Sequence, residues 1–244
     1  MDGLLRCTRY AFGPNRLHYC GPDASREILS YLQAGEIDPG LTAMLKKFET
    51  LFPYLQLIAR ANGIRDPFDN RVVEAYWLGN DLLEQVGQRN FYRHLSDDLG
   101  LRKKITSIQL SEIAAPLSFG AVPHHSYHVF SVWKRTGRTE TTHTLESIDA
   151  CRISWGTVTA VDGPNISVWR RPIIESADRL ILGEPQTIVV QRPLDARDDI
   201  AEVLPGQIIT LHWNVPCETI SPVQQANLEK YTLRHLLMAA VHQG

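Results

Sequence analysis

No apolar run in the sequence approaches the ~20 residues that a membrane-spanning helix needs. The chain opens Met-Asp-Gly-Leu-Leu-Arg-Cys, with no charged start followed by a long apolar core, so it reads as having no signal peptide and as cytoplasmic. An excess of one charge is missing too. Lys and Arg number 25 against 27 Asp and Glu, a net charge of −2, which gives no electrostatic case for binding nucleic acid or an anionic membrane. No basic run with interleaved aromatics occurs either. The glycine-rich dinucleotide fingerprint, the P-loop and the Gly-x-Ser-x-Gly elbow are all absent, so nucleotide-dependent and α/β-hydrolase chemistry has no motif support. Cysteine is scarce. Cys7, Cys20, Cys151 and Cys217 form no CxxC pair, and in a reducing compartment they remain thiols, available as ligands or as small buried apolar residues.

What is present changes texture near residue 145. Before it, Leu41, Met44, Leu45, Phe48, Leu51, Phe52, Leu55 and Ile58 keep one helical face, interrupted at Pro53 and stopped at Asn62-Gly63. Asp69 opens a further helix marked by Val72, Val73, Tyr76, Trp77, Leu83 and Val86, and residues 25–34 and 89–99 also read as helical. Gly79 is read as lying inside a helix, where it marks close packing or room for a ligand beside the helix. After residue 145, segments 151–161, 165–171, 186–193 and 207–213 are rich in Val, Ile, Thr and Trp. Asp162-Gly163-Pro164, Gly183-Glu184-Pro185 and Pro205-Gly206 divide them. Ser221-Pro222-Val223-Gln224 then starts a helix running to about Val241. The expectation is an α+β protein. Residues 1–140 form a mainly helical domain, residues 136–148 a linker, and residues 149–244 a small OB-like β-barrel with a C-terminal helix.

Three constellations carry chemistry. A thiol at Cys151, starting one strand, and an imidazole at His212, ending another, meet if those strands are neighbours. Together they suit iron, nickel or zinc. Pro123-His124-His125-Ser126-Tyr127-His128 places three imidazoles within five residues. His124 and His128 share a face on a helix or a strand, so two of them can ligate one metal with a third ligand from His18, Cys20, Asp23 or Glu74. Asn15 to Asp23 combines a guanidinium, an imidazole, a thiol and a carboxylate, with Asp23 placed to cap the next helix. The plainer readings are a buried cysteine beside a hydrogen-bonded histidine, a structural histidine turn, and a loop entering a helix.

Residues 151–244 resemble the HypC/HupF hydrogenase-maturation chaperones. Cys151 stands where that family has its essential cysteine, and Trp155-Gly156 replaces its Pro-Gly. Val158 to Gly163 matches the first strand and turn, Pro205-Gly206 the second turn, and Leu211-His212 the strand end. The whole chain also looks like a bacterial domain family sharing Tyr-Cys-Gly-Pro-Asp and Pro-His-His-x-x-His. The HypC resemblance implies a cysteine that holds iron carrying cyanide and carbon monoxide, with a HypD-like partner, for delivery to the large subunit of a nickel–iron hydrogenase. The family's cysteine lies at the N-terminus, whereas Cys151 is internal.

The leading expectation is therefore an accessory or maturation factor for a [NiFe] hydrogenase, more an assembly chaperone than a catalyst. It would use Cys151 and His212 on iron or its diatomic ligands, with zinc or nickel as alternatives. The second is a metal-dependent enzyme, with non-haem iron or zinc held by His124, His125 and His128 plus His18 or Cys20. The third is an interaction scaffold without metal.

Overall fold

In the computed structural model, which describes residues 1–132, 144–192 and 200–239, the chain starts with a capped helix. The Asp2 carboxylate accepts from the N–H groups of Leu4 and Leu5 and opens α1 (Gly3–Arg16). Periodicity does not announce this helix. It buries Arg6, Thr8 and Asn15 along with Cys7, Tyr10 and Ala11, so it has no clean apolar stripe. Most of these polar groups are paired, though Asn15 Oδ1 has no hydrogen-bond partner among the described residues. Arg6 donates to Glu218 and Glu74, and Tyr10 donates to Glu218.

α2 (Ser25–Ala34) follows, capped by no side chain; Asp23 does not cap it but pairs with His18 instead. α3 (Pro39–Leu45) and α4 (Leu51–Ala61) split the long apolar stretch at residues 46–50. Pro53 lies in the first turn of α4, where its missing N–H costs little. α5 (Asn70–Trp77) is capped by Asp69 as expected but ends at Trp77, short of the expected Leu83 and Val86, of which Leu83 lies in a separate 3-10 turn at Asp81–Gln85. α6 (Gln88–Arg93) runs into a π-helical turn, His94–Asp98. α7 (Leu101–Lys104), α8 (Ser107–Ala114) and the single turn α9 (His125–Tyr127) complete the first part. Gly79 lies beyond α5 rather than inside a helix, with φ +90°. The close packing is real: a Cβ there would come 2.1 Å from the Tyr231 ring.

The span expected to be a linker is partly helix. α10 (Leu145–Cys151) has a capping box at Thr144, and residues 136–143 lie outside the described residues. β1 (Ser154–Asp162), β2 (Asn165–Arg170), β3 (Ile173–Ser176), β4 (Arg179–Leu182), β5 (Gln186–Gln191), β6 (Ile208–His212) and β7 (Val215–Thr219) follow. Five of them form an antiparallel sheet in the order β5-β2-β1-β6-β7, and β3-β4 is a separate hairpin. The α+β class holds, but the sheet is open, not a closed barrel: its outer strands β5 and β7 are not hydrogen-bonded neighbours. The expected adjacency does occur, because β1 and β6 pair with Ser154 opposite Leu211. α11 (Pro222–Met238) closes the described chain with the Ser221–Gln224 capping box. None of the described helices is long and apolar enough to cross a membrane.

One core runs through both parts. Ile153, Cys217, Ile220, Leu228 and Tyr231 pack with the buried residues of α1, α4 and α5. The division near residue 145 does not cut this core, and the sheet adds a cluster of its own through Val158, Ile166, Val168, Val190, Ile209 and Leu211. α1 lies so close to the end of β6 that a Cβ on Gly13 would come 2.4 Å from the carbonyl oxygen of His212. This contact positions the site.

Candidate metal centre

His212 is held from α1. Its Nδ1 lies 2.6 Å from the carbonyl oxygen of Tyr10. A carbonyl can only accept, so Nδ1 carries the proton and Nε2 carries the lone pair. That Nε2 is buried and makes no hydrogen bond of good geometry among the described residues, although the Cys151 carbonyl lies near enough to favour a proton on the ring. Burial is the main cause that lowers the His212 imidazole to about 4, so the ring is neutral at neutral pH.

Cys151 faces it from a different element than expected. It is the last residue of α10, not the start of a strand, and β1 begins three residues later. It is half-buried and forms no disulfide. Trp213 N–H donates to the Ala150 carbonyl at 2.7 Å, fastening the end of α10 to the end of β6. The two expected ligands are thus brought together by a helix end and a strand end.

His125 is the third member. Ligand atoms of His125, Cys151 and His212 all lie within 4.8 Å of one another, and among the described residues no other group of three His, Cys, Asp or Glu does so. The His125 and His212 rings meet edge-on, with centroids 5.1 Å apart, and Trp77 lies against both at 4.7 and 5.5 Å. His125 is engaged on both sides. Its Nε2 lies 2.8 Å from the Cys151 carbonyl, so that nitrogen donates, and Nδ1 accepts from the Tyr76 hydroxyl at 3.1 Å. Burial, with the neighbouring His212 next, holds His125 well below the usual histidine range.

The group can hold a metal ion. Two neutral imidazoles and a thiol are a donor set for a borderline metal, and the Nε2 of His212, buried without a well-formed hydrogen bond, is an acceptor that a metal would satisfy. In the arrangement seen, Cys151 and His212 are set for it. His125 joins by giving up one of its two hydrogen bonds, that from Tyr76 to Nδ1 or that from Nε2 to the Cys151 carbonyl.

The histidine cluster itself divides three ways. His124 and His128 do not join His125 in the group of three. His124 accepts from Ser126 N–H at 3.2 Å and stacks on Tyr231, and the Ser126 hydroxyl bridges its Nδ1 to that of His235 at 2.7 Å each. His128 lies edge-on to Tyr54 at 5.7 Å. His18 is exposed and 3.5 Å from Asp23. Cys20 is half-buried against the main core, near enough to Tyr76 to be felt there. Burial first, then Cys20, Cys151 and Cys7, pushes the Tyr76 hydroxyl well above its ordinary range. Glu74 is taken up by Arg6 and Gln224. Arg152 does not face the Cys151 thiol as a free cation; it is fully buried and donates to Asp149 at 3.0 Å.

A family model described as a family of unknown function, DUF6390, matches residues 1–243. The chain belongs to DUF6390. The match runs through the helical part, the sheet and α11, so it takes in His125, Cys151 and His212 together. No curated protein and no solved structure matches this DUF6390 chain.

Proposed function

We propose that this DUF6390 protein is a metallocentre protein in which Cys151 and His212, joined by His125, hold one transition-metal ion. The observation that carries the reading is the buried Nε2 of His212. It is fixed as a lone-pair donor by the Tyr10 carbonyl and set beside a thiol from another element. A group that would otherwise be an unsatisfied buried acceptor gains its partner when the metal binds. Iron is the favoured ion, with zinc and nickel as alternatives, because the β part resembles the HypC/HupF chaperones at Cys151 and at Leu211-His212. On that resemblance the protein is an accessory factor for a nickel–iron hydrogenase, receiving iron or its cyanide and carbonyl ligands and passing them to the hydrogenase large subunit or a HypD-like partner. The half-buried position of Cys151 supports transfer, since a ligand on a fully enclosed thiol could not be handed on.

A catalytic centre is the second reading. Three protein ligands leave a fourth coordination position open to water or substrate, as in metal-dependent enzymes. Of the histidine cluster, His125 is the member that such a site would use.

Anaerobic purification of the full chain, followed by elemental analysis and infrared spectroscopy, tests the reading. Iron with cyanide or carbonyl stretching bands that vanish in Cys151→Ala is the expected result. Bound metal without such bands favours the enzyme, and a metal-free protein that takes up none on reconstitution overturns both.

A further inference from the structure

Trp77 lies against both imidazoles of the metal group, 4.7 Å from the His125 ring and 5.5 Å from that of His212. On its other sides are tyrosines. The Tyr10 ring stacks on it at 5.1 Å with the planes 15° apart, and the Tyr76 ring meets it edge-on at 4.6 Å. Tyr54 follows, 5.3 Å from Tyr76. Electron-rich rings in contact thus lead from the metal group into the core.

Loss of one electron makes an indole N–H or a phenol O–H strongly acidic. The electron therefore comes most readily from a ring whose proton has a base within hydrogen-bond reach. The four rings differ on this point. Trp77 Nε1 is buried and makes no hydrogen bond of good geometry among the described residues, and burial pushes the neighbouring Cys7 thiol well up, so that it stays protonated and is no base. The Tyr54 hydroxyl is buried with no hydrogen-bond partner among the described residues. The Tyr76 hydroxyl donates to His125 Nδ1, but a metal on either nitrogen of that ring removes the lone pair, by taking it or by moving the ring proton onto it. Tyr10 is different. Its hydroxyl donates to Glu218 Oε1 at 2.8 Å, with the Thr210 hydroxyl 2.9 Å from the same phenolic oxygen, and Tyr10 and Glu218 are both buried. Glu218 can take the proton without stranding a cation. Arg6, which donates to Glu218 Oε2 at 3.0 and 3.2 Å, also pairs with Glu74 at 2.9 Å.

We propose that Tyr10, paired with Glu218, is a one-electron donor to the metal centre by way of Trp77, and that it spares Cys151 when bound iron meets peroxide. That role rests on the proposed metallocentre. With peroxide as the oxidant, one electron comes from ferrous iron, which becomes ferric, and one from Tyr10. The Tyr10 Oη–H bond breaks, the proton makes the carboxylic acid of Glu218, and a neutral tyrosyl radical remains. The peroxide O–O bond breaks, and with two protons from solvent it leaves as two waters. Without Tyr10 the second electron comes from the half-buried Cys151 thiolate, which starts that sulfur towards sulfenic and sulfinic acid.

The full chain, loaded anaerobically with one equivalent of ferrous iron and mixed with hydrogen peroxide, tests this. Freeze-quench electron paramagnetic resonance reads the radical, and mass spectrometry reads the state of Cys151. A tyrosyl signal that is lost in Tyr10→Phe is expected, with more Cys151 sulfinic acid in that variant. Glu218→Gln keeps an acceptor for the Tyr10 hydroxyl but no base, so it should form less radical; it decides if Tyr10→Phe does not fold. Trp77→Phe, compared at equal iron content, should delay the signal. A chain that takes up no iron ends the proposed metallocentre and this role together. Bound iron without a tyrosyl signal overturns the role of Tyr10 and leaves the metallocentre standing. So does a signal unchanged in Tyr10→Phe or Glu218→Gln, one that forms as fast in Trp77→Phe, or Cys151 oxidation no greater in Tyr10→Phe than in the wild type.

Discussion

His212 donates from Nδ1 to the carbonyl oxygen of Tyr10 at 2.6 Å, and this one bond sets the tautomer of the proposed metal ligand. It is a link between β6 and α1, not within the sheet. Substituting His212→Gln removes the Nε2 lone pair and leaves the Tyr10 carbonyl to a different partner. The expected outcome is a loss of metal affinity of at least about a hundredfold and a stability loss of about 1–3 kcal/mol. Chelator competition and urea unfolding read the two effects. Unchanged affinity would remove His212 from the site.

Tyr76→Phe acts in the opposite direction. In the wild type the Tyr76 hydroxyl occupies the lone pair of His125 Nδ1 at 3.1 Å, so a metal must compete with it. Removing the hydroxyl frees the donor. Metal affinity should rise by about three- to tenfold, the worth of one ordinary hydrogen bond. Competition titration of the two proteins measures it, and weaker binding in the variant would place the metal on Nε2 instead.

Acid should unfold the protein through its buried histidines. Burial lowers His124 to about 3 and His212 to about 4, and holds His125 and His235 well below the usual range. Between the unfolded value near 6.5 and these folded values, the unfolded chain binds protons that the folded chain does not. Stability therefore falls as pH drops below about 6.5, by up to about 1.4 kcal/mol per pH unit for each such histidine, and is retained above it. The lowered Asp149 and Asp98 carboxylates act in the same direction but only below about pH 4. Urea unfolding at stepped pH checks the slope. A flat profile between neutrality and pH 5 would contradict the neutral, buried state of these rings.

Gly79→Ala tests the seam between the helical part and α11. The new Cβ would meet the Tyr231 ring at 2.1 Å, at a φ of +90° that alanine adopts only under strain. The expected loss is roughly 2–4 kcal/mol, overpacking and backbone strain together. Thermal unfolding measures it. A change below about 0.5 kcal/mol would mean that α11 moves away freely.

Much of the fold was legible because local signals were strong. Ser221 to Gln224 is a complete capping box, and Asp69 and Asn62-Gly63 sit where their side chain or backbone freedom is needed. β6 could be placed because Pro205-Gly206 delimits an apolar run ending at His212. What could not be read depended on partners far away in sequence. α1 carries buried Arg6, tolerable only because Glu218 and Glu74 receive it, and buried Asn15, which donates to the nearby Cys20 and Pro22 carbonyls, so its sequence shows no apolar stripe. β3 and β4 are four-residue strands, too short for a periodic signal, and the sheet stays open instead of closing as a barrel. At the site, Cys151 and His212 were joined correctly for a partly wrong reason, since Cys151 ends a helix. Singling out His125 from the three histidines needed the turn at α9. His124 serves there as the N-cap residue, directing its ring to Ser126 while the next ring points to Cys151.

X-ray absorption at the zinc edge, on full chain reconstituted with one equivalent of zinc, tests the proposed centre most directly. One sulfur at about 2.3 Å and two imidazole nitrogens at about 2.0–2.1 Å are expected, with the sulfur shell lost in Cys151→Ala. A shell of oxygen and nitrogen alone, or one unchanged in that variant, would contradict a metal held by His125, Cys151 and His212.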